Sequence, residues 1–407
     1  MNGLGDVPPP LNGNRRCDVV VIGAGITGAL CADALTAEGL SVIVVDKRQP
    51  GLGSTSASTA LLQYELDESL VDLTEKLGRR RATDAYHAAF SGVRAIGRIC
   101  KALPEDVGFK QRPTLYFAST AADAKEFRKE RNARVAIGLP CELVSRRELR
   151  SRIDFTTLAA LTTNSGAEVD PWRLTKALLA RARNRGAALF GRTETRRITA
   201  ARQYLEVQTS RGSIRAKYVV VAAGYESQRF LPSPVAKLHS TYAIATEPIA
   251  TFTGWPSRSL VWESARPYLY MRTTEDNRIL VGGLDDPFRN PAARDRRVNA
   301  KGRRLLLKAR KLFPHIEMEI AVGWAGTFGE TKDSLPIIGP HPGMNARVLF
   351  ALAYGANGMP FGAVAAELIT ARIIGRSHKF EHIYFRSLAY KCRHRWHHRT
   401  LSEALEG

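Results

Sequence analysis

Near the N-terminus, Gly23-Ala24-Gly25-Ile26-Thr27-Gly28 has the spacing G-x-G-x-x-G, and Asp46 closes a second apolar run downstream. Three glycines at this spacing arise often by chance, so their setting decides what they do. Val19-Val20-Val21-Ile22 precedes them as a short continuous apolar run, the pattern of a parallel strand covered on both faces. From Ile26 the pattern turns helical through Leu30, Ala34 and Leu35 towards a stop at Gly39, and Ser41-Val42-Ile43-Val44-Val45 reads as a second strand. In that setting Gly23 permits the tight turn, Gly25 lets the backbone approach a pyrophosphate, and Gly28 lets the helix pack closely on the strands. The helix N-terminus at Ile26 and Thr27 offers free N–H groups and about half a positive charge to the phosphates. Asp46 would accept hydrogen bonds from the adenosine ribose hydroxyls, and Lys47 beside it is assigned to the same site.

The fingerprint alone does not distinguish a nicotinamide from a flavin dinucleotide, but the residues downstream of it do. Gly51 to Leu62 reads G-L-G-S-T-S-A-S-T-A-L-L, a run of small and hydroxyl residues with no third strand. Ser54, Thr55, Ser56, Ser58 and the backbone at Ala60 suit the pyrophosphate and ribityl chain of a longer dinucleotide, which need many hydrogen-bonding groups. The missing parts of the nucleotide fold recur downstream. Asp170-Pro171 opens a helix that Gly186 closes, and Lys217 to Gly224 reads K-Y-V-V-V-A-A-G, a buried strand ending at Ala223 and Gly224. Val348 to Ala353 then runs into Tyr354-Gly355-Ala356-Asn357-Gly358-Met359 and an apolar helix, a second helix N-terminus able to face the electron-rich end of a cofactor. One sheet assembled from three separated segments suits FAD better than NAD.

With these segments in order the chain resembles the FAD-dependent oxidoreductases of the D-amino-acid oxidase type, which include glycine, sarcosine and γ-glutamylputrescine oxidases. The resemblance spans about 18–385 and is carried by D-V-V-V-I-G-A-G-I-T-G, G-S-T-S-A-S-T-A-L-L-Q, V-V-V-A-A-G, G-W-A-G-T-F-G-E-T-K-D-S-L-P-I-I-G and Y-G-A-N-G-M. It implies a two-domain flavoenzyme that oxidises a C–N bond. The expected fold is α/β: a discontinuous Rossmann-like FAD-binding domain from 17–87, 168–226 and 326–390, and a second α+β substrate domain from 88–167 and 227–325 on a mostly antiparallel sheet. Residues 1–16 are expected as a flexible leader and 391–407 as a basic tail. Some members hold the flavin through a cysteine just before the T-K-D-like segment. Ala325-Gly326-Thr327 stands there in this chain, so the resemblance implies non-covalent FAD.

In the second domain, strand alternation puts Arg266, Tyr268, Tyr270 and Arg272 on one face, where polar tips over a flavin ring could bind a substrate carboxylate. Arginine suits that task because its fork pairs with both oxygens. Tyr242 and Trp262 are further aromatics of this block, read as ordinary packing. Lys332 precedes the segment that, in the resembled family, returns beside the isoalloxazine, and a lysine there could stabilise negative charge. The expected reaction moves hydride from the carbon next to nitrogen to flavin N5 and leaves an imine that hydrolyses, with no acid–base dyad required. Electrons would pass to oxygen or another acceptor. His378 and His382, and His394, His397 and His398 in the tail, read as surface residues rather than metal ligands.

Composition bounds these readings. The 407 residues suit two to three domains at ~150 residues each. With 44% hydrophobic and 24% charged residues, 33 glycines and 20 prolines, collagen-like and wholly disordered chains are excluded. Sixty Lys and Arg against 39 Asp and Glu leave +21, densest at 289–311 and 391–399. Such a charge attracts polyanions without determining fold. It raises two alternatives: a flavoenzyme acting on an aminomethyl-modified tRNA base, and a nucleic-acid-binding protein with a vestigial nucleotide fold. No RNA-recognition motif supports either. The five cysteines include no C-x-x-C and suit a reducing cytosol, hence a cytoplasmic protein. Val348 to Ala366 is free of charge, but Asn357, Pro360 and its glycines favour strand, turn and buried helix over a membrane span.

Overall fold

A computed structural model describes residues 7–288, 290–352, 355 and 357–385. The basic tail with Cys392, His394, His397 and His398, and Ala353, Tyr354 and Ala356 of the glycine turn, lie outside the described residues.

The apolar runs form a parallel core of five strands. Strand Val348–Leu352 pairs with Gly212–Val221, then Arg15–Ile22, Val42–Val45 and Ala188–Phe190, and Ile337–Pro340 adds an antiparallel edge. Burial on both faces explains why these strands are continuously apolar. Val19, Val21, Val42 and Val44 join one core cluster, while Val20, Ile22, Ile43 and Val45 join the cluster on the opposite face. Helices Ile26–Ala37, Arg79–Lys101, Pro171–Asn184 and Gly358–Ile373 supply the first cluster. Asp170 caps the third of these by accepting from the N–H groups of Trp172 and Arg173, both at 2.9 Å. Arg181 on that helix holds Asp33 of the first with two bonds of 2.7 Å, locking the two helices side by side.

The second sheet has nine strands. Its spatial order begins with Ile320–Thr331, Ala236–Thr246, Ile279–Asp286 and Leu269–Thr273, and continues with Leu260–Glu263, Lys110–Phe117, Ala159–Glu168 and the short Leu61–Leu62. The pairings are antiparallel except where Leu260–Glu263 runs parallel to Lys110–Phe117. Helix Val298–Leu312 covers the outer face of this sheet, burying Leu305 and Ala309 against Tyr242 and Ile244. The inner face looks towards the first sheet.

Several expected boundaries shift. The cut at 87/88 falls inside helix Arg79–Lys101, whose alanines and Tyr86, Val93 and Ile96 pack in the first core at helical spacing. The cut at 325/326 splits strand Ile320–Thr331, and 226/227 falls within the 3-10 helix Gly224–Phe230. Within the expected leader, Leu11 is anchored at 2% exposure with its N–H donating to Thr193 Oγ1 at 3.0 Å, and the first strand already starts at Arg15. Val348 to Ala366 divides between a buried strand and a buried helix, and among the described residues no helix is long and apolar enough to cross a membrane.

Gly28 fixes how closely the first helix approaches the turn before it, since a Cβ there would lie 1.8 Å from the carbonyl oxygen of Gly23. Gly28→Ala is therefore expected to cost about 1–3 kcal/mol as overpacking, read as a lower denaturation midpoint. Gly39→Ala, in open space at φ +76°, should cost only about 1 kcal/mol from backbone strain.

Candidate active site

The C-terminal ends of the parallel strands and the inner face of the second sheet enclose a cavity of about 510 Å³, lined by Ile22, Val45 and Ala222 from the first and by Thr241, Tyr270 and Thr327 from the second. This is the crevice where open parallel sheets bind ligands.

Most residues assigned to the cofactor meet here. Gly23, Gly25, Ile26, Thr27, Asp46 and Lys47 line one end. Ser54, Thr55, Ser58 and Ala60 line the flank, and Ala223, Gly224, Gly355, Gly358 and Met359 complete the wall. Three assigned residues stay outside the lining. Gly28 packs beneath Gly23, Ser56 is exposed with its hydroxyl donating to the Gly53 carbonyl at 2.9 Å, and Asn357 is buried with Nδ2 donating to the Glu65 carbonyl at 2.6 Å.

The geometry explains what the glycines and acid do. Gly23 adopts φ +107°, and a Cβ on it would strike the Ala222 carbonyl oxygen at 2.5 Å. A Cβ on Gly25 would meet Thr55 Oγ1 at 2.9 Å. That hydroxyl accepts the Ile26 N–H at 2.9 Å, so the hydroxyl loop docks on the positive end of the helix. Asp46 accepts from Ala24 N–H at 2.8 Å and Arg48 N–H at 2.7 Å, and its two oxygens retain lone pairs for ribose hydroxyls. Glu226, missed in the sequence because it sits far downstream, pairs with Lys47 and Arg48 at this end. A cradle without Cβ atoms, two helix N-termini and a hydroxyl flank fit a flavin adenine dinucleotide. The described cysteines, Cys17, Cys31, Cys100 and Cys141, lie outside the lining, and burial pushes the first three up to about 12 and Cys141 to about 11.

At the other end Arg266, Tyr268 and Tyr270 line the cavity. The Arg266 guanidinium lies over the Tyr268 ring, 4.7 Å from its centroid, and donates to the Asp67 carbonyl at 2.7 Å. Gly282 opposite leaves room for Tyr270, since a Cβ there would be 2.2 Å from its Cζ. Trp262 also lines the cavity, stacked on Tyr116 with centroids 5.5 Å apart. Tyr242 instead points outward, its hydroxyl donating to Asp286 at 2.8 Å.

Two residues depart from expectation. Lys332 is exposed in the turn after strand Ile320–Thr331 and does not line the cavity. The turn, closed by Ser334 N–H donating to the Thr331 carbonyl at 3.1 Å, carries Lys332 outward. Arg272 continues the alternation but is 6% exposed below the cavity, its guanidinium donating to the carbonyls of Thr59, Thr273 and Val169.

Two acids complete this end without any motif to mark them. Asp67 lines the cavity. Asp286 turns outward to Lys301 and Tyr242, so strand alternation directs Asp285 inward, towards Thr241 of the lining. The Asp285 Oδ1 atom is buried without a hydrogen-bond partner. Burial pushes the Asp285 carboxyl up to about 6; Asp67 adds to the rise, while Thr241, His239 and Lys301 oppose it. Burial likewise raises Tyr268, helped by the charges of Asp67 and Asp285, and pushes Tyr270 up to about 12. Away from the cavity, His382 Nε2 is 2.9 Å from Asp84 and His378 Nε2 3.7 Å from Glu367, and among the described residues no cluster of three ligating side chains could hold a metal.

The chain is 27% identical over 350 residues to a glycine oxidase of Geobacillus kaustophilus (strain HTA426), covering 83% of this chain and 88% of that one. Its fold matches the crystal structure of glycine oxidase from Geobacillus kaustophilus with a TM-score of 0.77 at 21% identity, over 90% and 97% of the two chains. It matches L-proline dehydrogenase from P. horikoshii at 0.76 and 20% identity, over 94% and 99%. The family model DAO, described as FAD dependent oxidoreductase, matches residues 18–372. That match runs from the first strand into the last helix through both sheets, so the chain belongs to the DAO family of FAD-dependent oxidoreductases.

Proposed function

We propose that the protein oxidises the C–N bond of an amino acid or amine to an imine, which water hydrolyses. The observation that carries this reading is a single cavity joining the dinucleotide cradle to Arg266, Tyr268, Tyr270 and Asp67, with Asp285 set behind the Thr241 wall and within reach of the Asp67 charge. The Gly23 to Thr27 turn, Asp46, the Ser54 to Ala60 loop and the Gly358 helix end would hold FAD non-covalently, and the flavin would supply the hydride acceptor. The chain's own residues do the rest. Arg266 clamps a substrate carboxylate with its two-pronged guanidinium, already steadied by Tyr268 and the Asp67 carbonyl. Asp67 and Asp285 draw the substrate nitrogen to the same end as an ammonium. Asp285, with a carboxyl near neutral in affinity for protons, takes the ammonium proton and leaves the neutral amine whose lone pair assists loss of hydride. Proton transfer thus falls to a protein carboxylate, a role that the sequence motifs alone do not call for. The electron acceptor is oxygen or another small molecule. We take the compartment to be the reducing cytoplasm, which suits four free thiols among the described residues, three of them buried.

Purified protein is expected to be yellow, to release FAD on denaturation, and to bleach anaerobically with a member of a panel of D- and L-amino acids, N-methyl glycines and polyamine derivatives. Gly25→Trp, which fills the space beside Thr55, should come out colourless. Nicotinamide dependence without flavin overturns the reading, and bleaching only with aminomethyl-modified tRNA moves it to the RNA-base alternative. Arg266→Ala should raise KM for carboxylate substrates about 10- to 100-fold, the loss of a charge-assisted pair, with a smaller effect on kcat. Lys332→Ala should change neither by more than about twofold. In wild type kcat/KM should climb as pH rises through about 6, because only the deprotonated Asp285 can accept the ammonium proton. In Asp285→Asn that limb should disappear; an unchanged profile assigns the proton elsewhere.

A further inference from the structure

Helix Val298–Leu312 has a side that the reaction does not use. It buries Gly302, Leu305 and Ala309 on the second sheet. At 3.6 residues per turn Leu307 lies diametrically opposite this stripe, and it is 64% exposed. Arg303 and Lys311, four positions to either side, and Arg304, three before, are its neighbours on the helix surface. All three are exposed, and none forms an ion pair among the described residues. The helix carries no Asp or Glu. Elsewhere in the same protein a surface helix is built differently: Ala121–Ala136 sets Asp123 and Glu126 among its outer cations, with Lys129 paired to Glu126. Beside the acid-free helix, Ile320 and Val322 open the neighbouring edge strand at 37% and 53% exposed. Ile320 reaches the helix, with Cδ1 3.9 Å from where a Cβ on Gly302 would lie.

We propose that this face docks the protein on the surface of an anionic phospholipid bilayer, with Leu307 entering the headgroup boundary and Arg303, Arg304 and Lys311 meeting lipid phosphates. An aliphatic residue centred among unpaired cations matches an interfacial helix, held mainly by charge and completed by apolar insertion. A second copy of the chain fits less well, because a twofold contact would set these cations against their own counterparts. Single-stranded RNA fits less well because its bases stack on aromatic platforms, whereas the exposed residue here is leucine. The short helix Pro291–Asp295 just before carries Arg294 into the cavity wall, so the docking face and the cavity are joined by a brief stretch of chain.

Sedimentation of the flavin-loaded protein with vesicles tests this. Wild type should bind phosphatidylcholine vesicles containing phosphatidylglycerol, leave pure phosphatidylcholine unbound, and release as salt rises. At about fivefold per cation, Arg303→Glu/Arg304→Glu/Lys311→Glu should lose about 100-fold or more. A control of equal charge change on another exposed site, Arg146→Glu/Arg147→Glu/Arg150→Glu, should stay within about threefold if the effect is local. Leu307→Asp should weaken binding by at least about fivefold, the loss of a buried aliphatic side chain. Retained flavin colour reports that each variant is folded. Equal loss in both triple variants overturns the proposal, since bulk charge then suffices. So does wild type that ignores anionic vesicles, Leu307→Asp at unchanged affinity, or a face that binds tRNA but no vesicles.

Discussion

The hydroxyl loop between 54 and 60 is gripped from two sides, and the cavity exists because of that grip. Thr55 Oγ1 accepts the Ile26 N–H from the nucleotide helix. From the opposite sheet Trp324 Nε1 donates to the Ala57 carbonyl at 3.0 Å, and Arg272 donates to the Thr59 carbonyl. A loop of small polar residues has little apolar surface of its own to hold it. Its order must come from directional bonds to rigid elements. Because those elements belong to different sheets, the same bonds that shape the loop also fix the gap between the sheets.

The segment after the loop is stabilised differently. Glu130 accepts the Leu70 N–H at 2.9 Å and the Val71 N–H at 3.1 Å, and it receives Arg134 Nε at 2.7 Å. Arg134 also lies 3.7 Å from Glu65, and both are almost wholly buried. A buried cation between two acids is held by the cost of leaving any one of them alone, about 3–5 kcal/mol for breaking such a pair. The cluster thereby anchors the chain on both sides of Leu66 and Asp67, which face the cavity. Specific charge pairing steadies the Asp67 end of the cavity, while hydrogen bonds to backbone groups steady the flank at 54–60.

How much of this is legible in the sequence depends on the range of each signal. The nucleotide unit is legible because strand, turn, helix, strand and acid are contiguous, and each residue's role is set by neighbours within about thirty positions. Strand alternation accounts for Tyr270, whereas Arg266 and Tyr268, expected on the same strand face, reach the cavity from the bend before strand Leu269–Thr273. Asp67 and Asp285 are not legible, because a single acid has no pattern and their meeting depends on two sheets closing. Lys332 turns away from the cavity it was expected to serve, since nothing in its neighbours reveals which way a turn faces. The boundary at 87/88 fails for the opposite reason: helix Arg79–Lys101 has a helical apolar stripe, but the stripe does not tell which core it enters.

The two-sided grip also governs traffic. The 54–60 loop can lift from the cavity only when its bonds to Ile26, Trp324 and Arg272 break together, an opening that is a local unfolding event. Access past this flank of the cavity is then tied to the rate at which contacts to two sheets open at once, not to the mobility of a single loop.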